Sequence, residues 1–269
     1  MRRVSILPAL VTLANAYCGV LAIYKAHDGL FLQSGFLILA AMLFDVLDGL
    51  VARLARAQSR FGAYLDSLSD VISFGAAPAF LTKAVVESEF PWGVEGQWGY
   101  HPKLLTILTI PFAVLAVVRL ARYNVEHDSG EGNESSGKGV STFAGIPTPG
   151  AAGMIASLVI LAYGEKPLFD AKPLLVILPL LCLLLGALMV SRVPYAHFGS
   201  RFLSGRKDFG YLFLAIMLIA VFIYFPEECA AVGFIGYCLS GLIMWPFRPR
   251  EEPEDAELAT ADIDIPEGY

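Results

Sequence analysis

Asp45, Asp48, Asp66 and Asp70 stand in or beside two stretches that are otherwise as apolar as a membrane span. A carboxylate is costly there and marks a ligand or an ion path more often than packing. Positions three or four apart on a helix share a face, so Asp45 pairs with Asp48, and Asp66 with Asp70. A short turn carrying Arg53, Arg56 and Arg60 joins the two stretches. Folded back as antiparallel neighbours, they bring all four carboxylates to one depth. Like charges that close need protons or cations. Grouped hard oxygen ligands suit Mg²⁺ or Mn²⁺, with two ions sharing bridging carboxylates. Such a site beside arginines handles phosphate, and a carboxylate left without metal can take a proton from the attacking nucleophile. Of the three arginines, the register of Arg53 points to a substrate role; Arg56 and Arg60 read as membrane-surface charge. Gly49 and Ala52 follow the first pair by four residues, and Gly62 precedes Asp66 by four. These small residues leave lanes for close helix packing or for a bulky ligand.

The elements that must position these residues are membrane helices. Of 269 residues, 56 % are hydrophobic and 16 % charged, and the mean hydropathy is +0.62. Both shares lie far from those of a soluble domain. The apolar blocks predict an all-α, polytopic helix bundle of about eight spans, the last two short enough to form one span or a re-entrant pair instead. They fall near residues 4–24, 30–52, 63–86, 104–123, 143–163, 173–191, 209–225 and 229–246. With the N-terminus in the cytoplasm, 14 of the 19 Lys and Arg, including every Arg, fall on the inner face. The positive-inside rule then sets both termini and the aspartates on the cytoplasmic side, as in a cytoplasmic (inner) membrane. The sequence divides into a membrane domain, 1–250, and a tail, 251–269, which holds eight acids and no base and is expected to be disordered. Cys18, Cys182, Cys229 and Cys238 lack metal-ligand spacing and read as packing residues. The stretch Phe143 to Gly150, with two prolines and two glycines, reads equally as a helix start or as a shaped loop over a site.

The pattern Asp45-x2-Asp48-Gly49-x2-Ala52-Arg53-x8-Gly62-x3-Asp66-x3-Asp70 resembles, position for position, the signature of the CDP-alcohol phosphatidyltransferases. The resemblance implies transfer of a phosphatidyl group from a CDP-linked lipid to an alcohol, with CMP leaving. It implies that Asp45, Asp48, Asp66 and Asp70 hold the metal ions and that Asp70 is also the catalytic base. It further implies that Gly49, Ala52 and Gly62 make room for the CDP-lipid, with Arg53 near its phosphates, and that the protein is a homodimer. Three looser stretches, Thr12 to Gly19, Arg119 to Asn124 and Phe143 to Pro147, resemble the branch that makes phosphatidylserine from CDP-diacylglycerol and L-serine.

A serine carboxylate asks for a cation. Arg119 and Arg122, three apart on one face with Asn124 beside them, are the candidate acceptor site. Thr12 and Asn15 are candidates for the nucleotide pocket, or for helix–helix hydrogen bonds. Inositol phosphate, glycerol 3-phosphate or choline would be the acceptor in sibling enzymes. Outside the enzyme class, buried ionisable residues also suit a divalent-cation or proton-coupled transporter. The outer halves of spans two and three offer such a path little beyond Gln33 and Ser34. Membrane lipids are expected partners; nucleic acid is not.

Overall fold

The computed structural model describes residues 6–54, 59–95, 99–128, 143–164, 172–191, 193–195 and 226–244. Its elements are α1 (Ile6–His27), α2 (Phe31–Leu54), α3 (Arg60–Asp70), a π-helical turn (Val71–Ala76), α4 (Ala77–Glu89), α5 (Pro102–Asp128), α6 (Thr148–Tyr163), α7 (Lys172–Val190) and α8 (Pro226–Met244). α3, the π turn and α4 form one continuous rod, so the described residues hold seven helices. Five are long and apolar enough to cross a membrane: 8–27, 31–52, 61–89, 102–125 and 172–190. At 1.5 Å per residue, each reaches about the 30 Å of a hydrocarbon core. Two shorter apolar helices, 148–163 and 228–241, complete the described bundle. The expected span at 209–225 and the tail 251–269 lie outside the described residues.

α1 and α2 form an antiparallel hairpin whose contact is fixed by Ser34, whose buried hydroxyl donates to the Ala22 carbonyl (2.8 Å). α1 also packs on α3, the π turn and α4. α5 packs on the π turn and α7, and α6 lies between α2, α7 and α8. α6 is the most enclosed helix, with every residue from Gly150 to Ile160 buried. An apolar helix gains little from leaving lipid for protein, so close van der Waals packing and buried hydrogen bonds must hold the bundle.

The expected fifth span begins later than its apolar run suggests. Phe143–Ala144 forms a two-residue antiparallel bridge with Pro194–Tyr195. Gly145 N–H donates to the Val193 carbonyl (2.8 Å), and Ile146 N–H to the Leu188 carbonyl (3.2 Å). Gly145 has φ +86°, and a Cβ there would collide with the Met189 carbonyl. Only glycine fits that conformation and that approach. Pro147 and Pro149 then bracket the first residue of α6, where a missing N–H costs nothing. Both readings of this stretch hold in part: residues 148–150 start α6, and the residues before them form a shaped loop that straps the start of α6 to the end of α7.

The π turn also has a local cause. Pro78 has no N–H to give the Phe74 carbonyl, and its ring would crowd that oxygen in a regular α-helix. The rod widens through residues 71–76 instead, directly after Asp70. π turns recur at functional sites because they re-aim the side chains around them.

Candidate active site

Asp45 and Asp48 lie near the end of α2, and Asp66 and Asp70 in α3. Ser59 starts α3 as its N-cap, accepting from Gly62 N–H (3.0 Å). Gly62 is therefore also part of the cap. Oxygens of Asp45, Asp48 and Asp66 all lie within 4.8 Å of one another. Asp48 lies near both Asp66 and the Thr12 side chain, whose hydroxyl donates to the Pro8 carbonyl (3.1 Å). Among the described residues, Asp48 Oδ2 and Asp66 Oδ1 are buried without a hydrogen-bond donor. Unpaired buried carboxylate oxygens are expensive. Oxygens about 2.0–2.6 Å from one divalent ion lie no more than about 5 Å apart, so this triplet fits such an ion.

Asp70 stands apart from the triplet. It is 7 % exposed and accepts a hydrogen bond from Asn15 Nδ2 (3.0 Å). It remains in electrostatic reach of Asp45, Asp48 and Asp66. Asn15 is itself held from behind, since Ser73 of the π turn donates to its carbonyl (2.9 Å). α1 thus presents Thr12 and Asn15 to the carboxylates.

A Cβ built on Gly49 meets nothing within 4 Å among the described residues. Ala52 is half-buried beside it. Arg53 occupies the last turn of α2, but its side chain lies outside the described residues, as do Arg56 and the side chain of Arg60.

α5 supplies the cationic wall. Arg119 donates from Nη1 to Thr148 Oγ1 (3.0 Å), and its buried Nε has no partner among the described residues. It lies in electrostatic reach of Asp70 and Tyr237. Arg122 is exposed. Asn124 accepts from the Ser67 hydroxyl (3.1 Å), tying α5 to α3. The structure therefore separates the two arginines: Arg119 is half-buried within electrostatic reach of Asp70, and Arg122 does not share its burial. Beside Thr148 an apolar cavity of about 400 Å³ opens between the start of α6 and α8, lined by Pro147, Gly150, Gly233, Phe234 and Tyr237 among others.

Sequence reasoning missed Thr148, Ser67 and Ser73. Thr148 carried a weak signal, a hydroxyl between two prolines at the head of an apolar helix. Ser67 and Ser73 carried none, because their partners lie 57 and 58 positions away.

This chain resembles known proteins over most of its length. A family model described as CDP-alcohol phosphatidyltransferase matches residues 5–190. A Helicobacter pylori CDP-diacylglycerol–serine O-phosphatidyltransferase is 29 % identical over 240 residues, covering 89 % of this chain and 91 % of its own. A Methanocaldococcus jannaschii protein of the same name is 30 % identical over 245 residues, covering 91 % and 96 %. An archaetidylserine synthase from Methanothermobacter thermautotrophicus is 37 % identical over 161 residues, covering 58 % and 59 %. The family match spans the hairpin, both aspartate pairs and Arg119, and on that ground the chain belongs to the CDP-alcohol phosphatidyltransferase family.

Proposed function

We propose that this membrane protein transfers the phosphatidyl group of CDP-diacylglycerol to L-serine, giving phosphatidylserine and CMP. The observation that carries the reading is the set of four aspartates divided three to one. Asp45, Asp48 and Asp66 converge, while Asp70 is held separately by Asn15. Relatives aligned over nine-tenths of the chain carry the name of this activity.

Asp45, Asp48 and Asp66 are the residues that would hold a divalent ion, Mg²⁺ or Mn²⁺, with Asp70 adjoining a second. When bound, the ions neutralise phosphoryl oxygens and the departing phosphate. Asp70 takes the proton of the serine hydroxyl. The serine oxygen attacks the phosphorus that bears diacylglycerol, and the bond from that phosphorus to the oxygen of CMP breaks. CMP leaves with the electron pair. Asn15 holds one Asp70 oxygen and so fixes the carboxylate's plane. The open space at Gly49 takes the cytidine nucleotide, with Ala52 and Gly62 bordering it, Thr12 beside Asp48 and Arg53 at the phosphates. The acceptor carboxylate meets Arg119, with Arg122 and Asn124 at the rim. An acyl chain lies in the cavity between α6 and α8.

The site faces the cytoplasm in this reading, both termini are cytoplasmic, and eight spans cross a cytoplasmic membrane. Residues 1–250 form the catalytic domain, 251–269 are a solvated tail, and the protein is a homodimer.

Labelled serine tests the proposal. Purified full-length protein with CDP-diacylglycerol and Mg²⁺ or Mn²⁺ moves the label into lipid. Asp70→Asn loses about 10²- to 10⁴-fold of that turnover, the range of a general base, while binding of CDP-diacylglycerol persists. Near-normal turnover in Asp70→Asn removes the base assignment, and no labelled lipid from the wild type removes the function.

A further inference from the structure

We infer that Thr148 is a positioning residue that orients Arg119 as the seat of a substrate anion, so that a hydroxyl on α6 sets the affinity of a site on α5. The inference rests on the proposed function and goes beyond it.

Arg119 is a long, cationic side chain inside an apolar bundle. A guanidinium has five N–H donors in one rigid plane. Anchoring any one of them fixes where the others point. Here Nη1 is anchored on Thr148 Oγ1 (3.0 Å). Thr148 is 0 % exposed, so water does not compete for that contact. Nε is buried and has no partner among the described residues. A buried, unpaired N–H of a cation is expensive unless a ligand completes it. Its natural complement is an oxyanion, which a guanidinium edge grips with directional hydrogen bonds. Arg119 also lies in electrostatic reach of Asp70, on the carboxylate side of α5.

Thr148 is unusually well placed to act as the anchor. It is the first residue of α6, between Pro147 and Pro149. The preceding residues are strapped to the end of α7 through Gly145 and Ile146. The hydroxyl is therefore fixed by backbone bonds that do not involve the ligand.

Two substrate groups share the required chemistry, the carboxylate of the acceptor and a phosphate of the CDP-lipid. The experiment separates them. Steady-state kinetics of the full-length enzyme are measured for Thr148→Val, which keeps the shape and removes the acceptor oxygen, and for Thr148→Ser, which restores it. The expected result is a KM raised about fivefold or more in Thr148→Val with kcat within about twofold, and recovery in Thr148→Ser. A rise in KM for serine identifies the carboxylate; a rise for CDP-diacylglycerol identifies the phosphate. In an Arg119→Lys background, Thr148→Val adds nothing. Unchanged KM for both substrates in an active Thr148→Val enzyme, or equal effects of Val and Ser, overturns the inference. If the wild type transfers nothing to serine, the proposed function fails on its own. The seat is then read from melting temperature, which inorganic phosphate raises in the wild type and in Thr148→Ser but not in Thr148→Val. Equal stabilisation of all three overturns it.

Discussion

At the scale of residues, the four aspartates are not held in one way. Their spacing placed them on shared helix faces, and three do converge. The fourth is claimed by Asn15, a division that helical spacing cannot show because it depends on the rotation of α1 about its axis. Arg119 and Arg122 illustrate the same limit. Three apart, they are equivalent in sequence, yet one is drawn inward by Thr148 and the other is exposed. Gly49 was more legible, since a small residue one turn from a carboxylate leaves room wherever the helix packs. Gly49→Leu tests that room. No described atom lies within 4 Å of a Cβ there, so the melting temperature stays at the wild-type value. The KM for CDP-diacylglycerol rises about 5- to 150-fold, the equivalent of about 1–3 kcal/mol of steric conflict. Lower stability with unchanged KM would make Gly49 a packing residue only.

At the scale of elements, five long helices were legible from apolar run length alone, because a membrane requires about 20 such residues. The start of α6 was not. Its run extends back to Phe143, but Gly145 and Pro147 turn the first five residues into a strap. The π turn was equally hidden, although Pro78 gives its cause in hindsight. This turn links the elements of the site. Ser73 bonds the Asn15 carbonyl, and Gly19 packs directly against Ser73, where a Cβ would sit 2.6 Å from its Cα. Gly19→Val therefore forces α1 off the π turn. We expect a stability loss of about 1–3 kcal/mol, read as a lower melting temperature in detergent. Turnover falls further than that, because Asn15 moves with α1. Wild-type stability in Gly19→Val would mean that α1 and the rod are not tightly apposed.

At the scale of the whole molecule, composition and apolar run length were enough for a membrane bundle, and the family was legible in 26 residues of it. The acceptor alcohol was the least legible property. In the proposed reading it is set by Arg119 and Thr148, which are brought together from α5 and α6 across 29 positions. The most direct measurement is therefore CMP release by the purified protein with CDP-diacylglycerol and Mg²⁺ or Mn²⁺, given L-serine, inositol phosphate, glycerol 3-phosphate or choline in separate reactions. Release is expected with L-serine alone, abolished by a chelator and restored by added metal. Release driven by another acceptor, or release that survives chelation, would contradict a metal-dependent serine transferase.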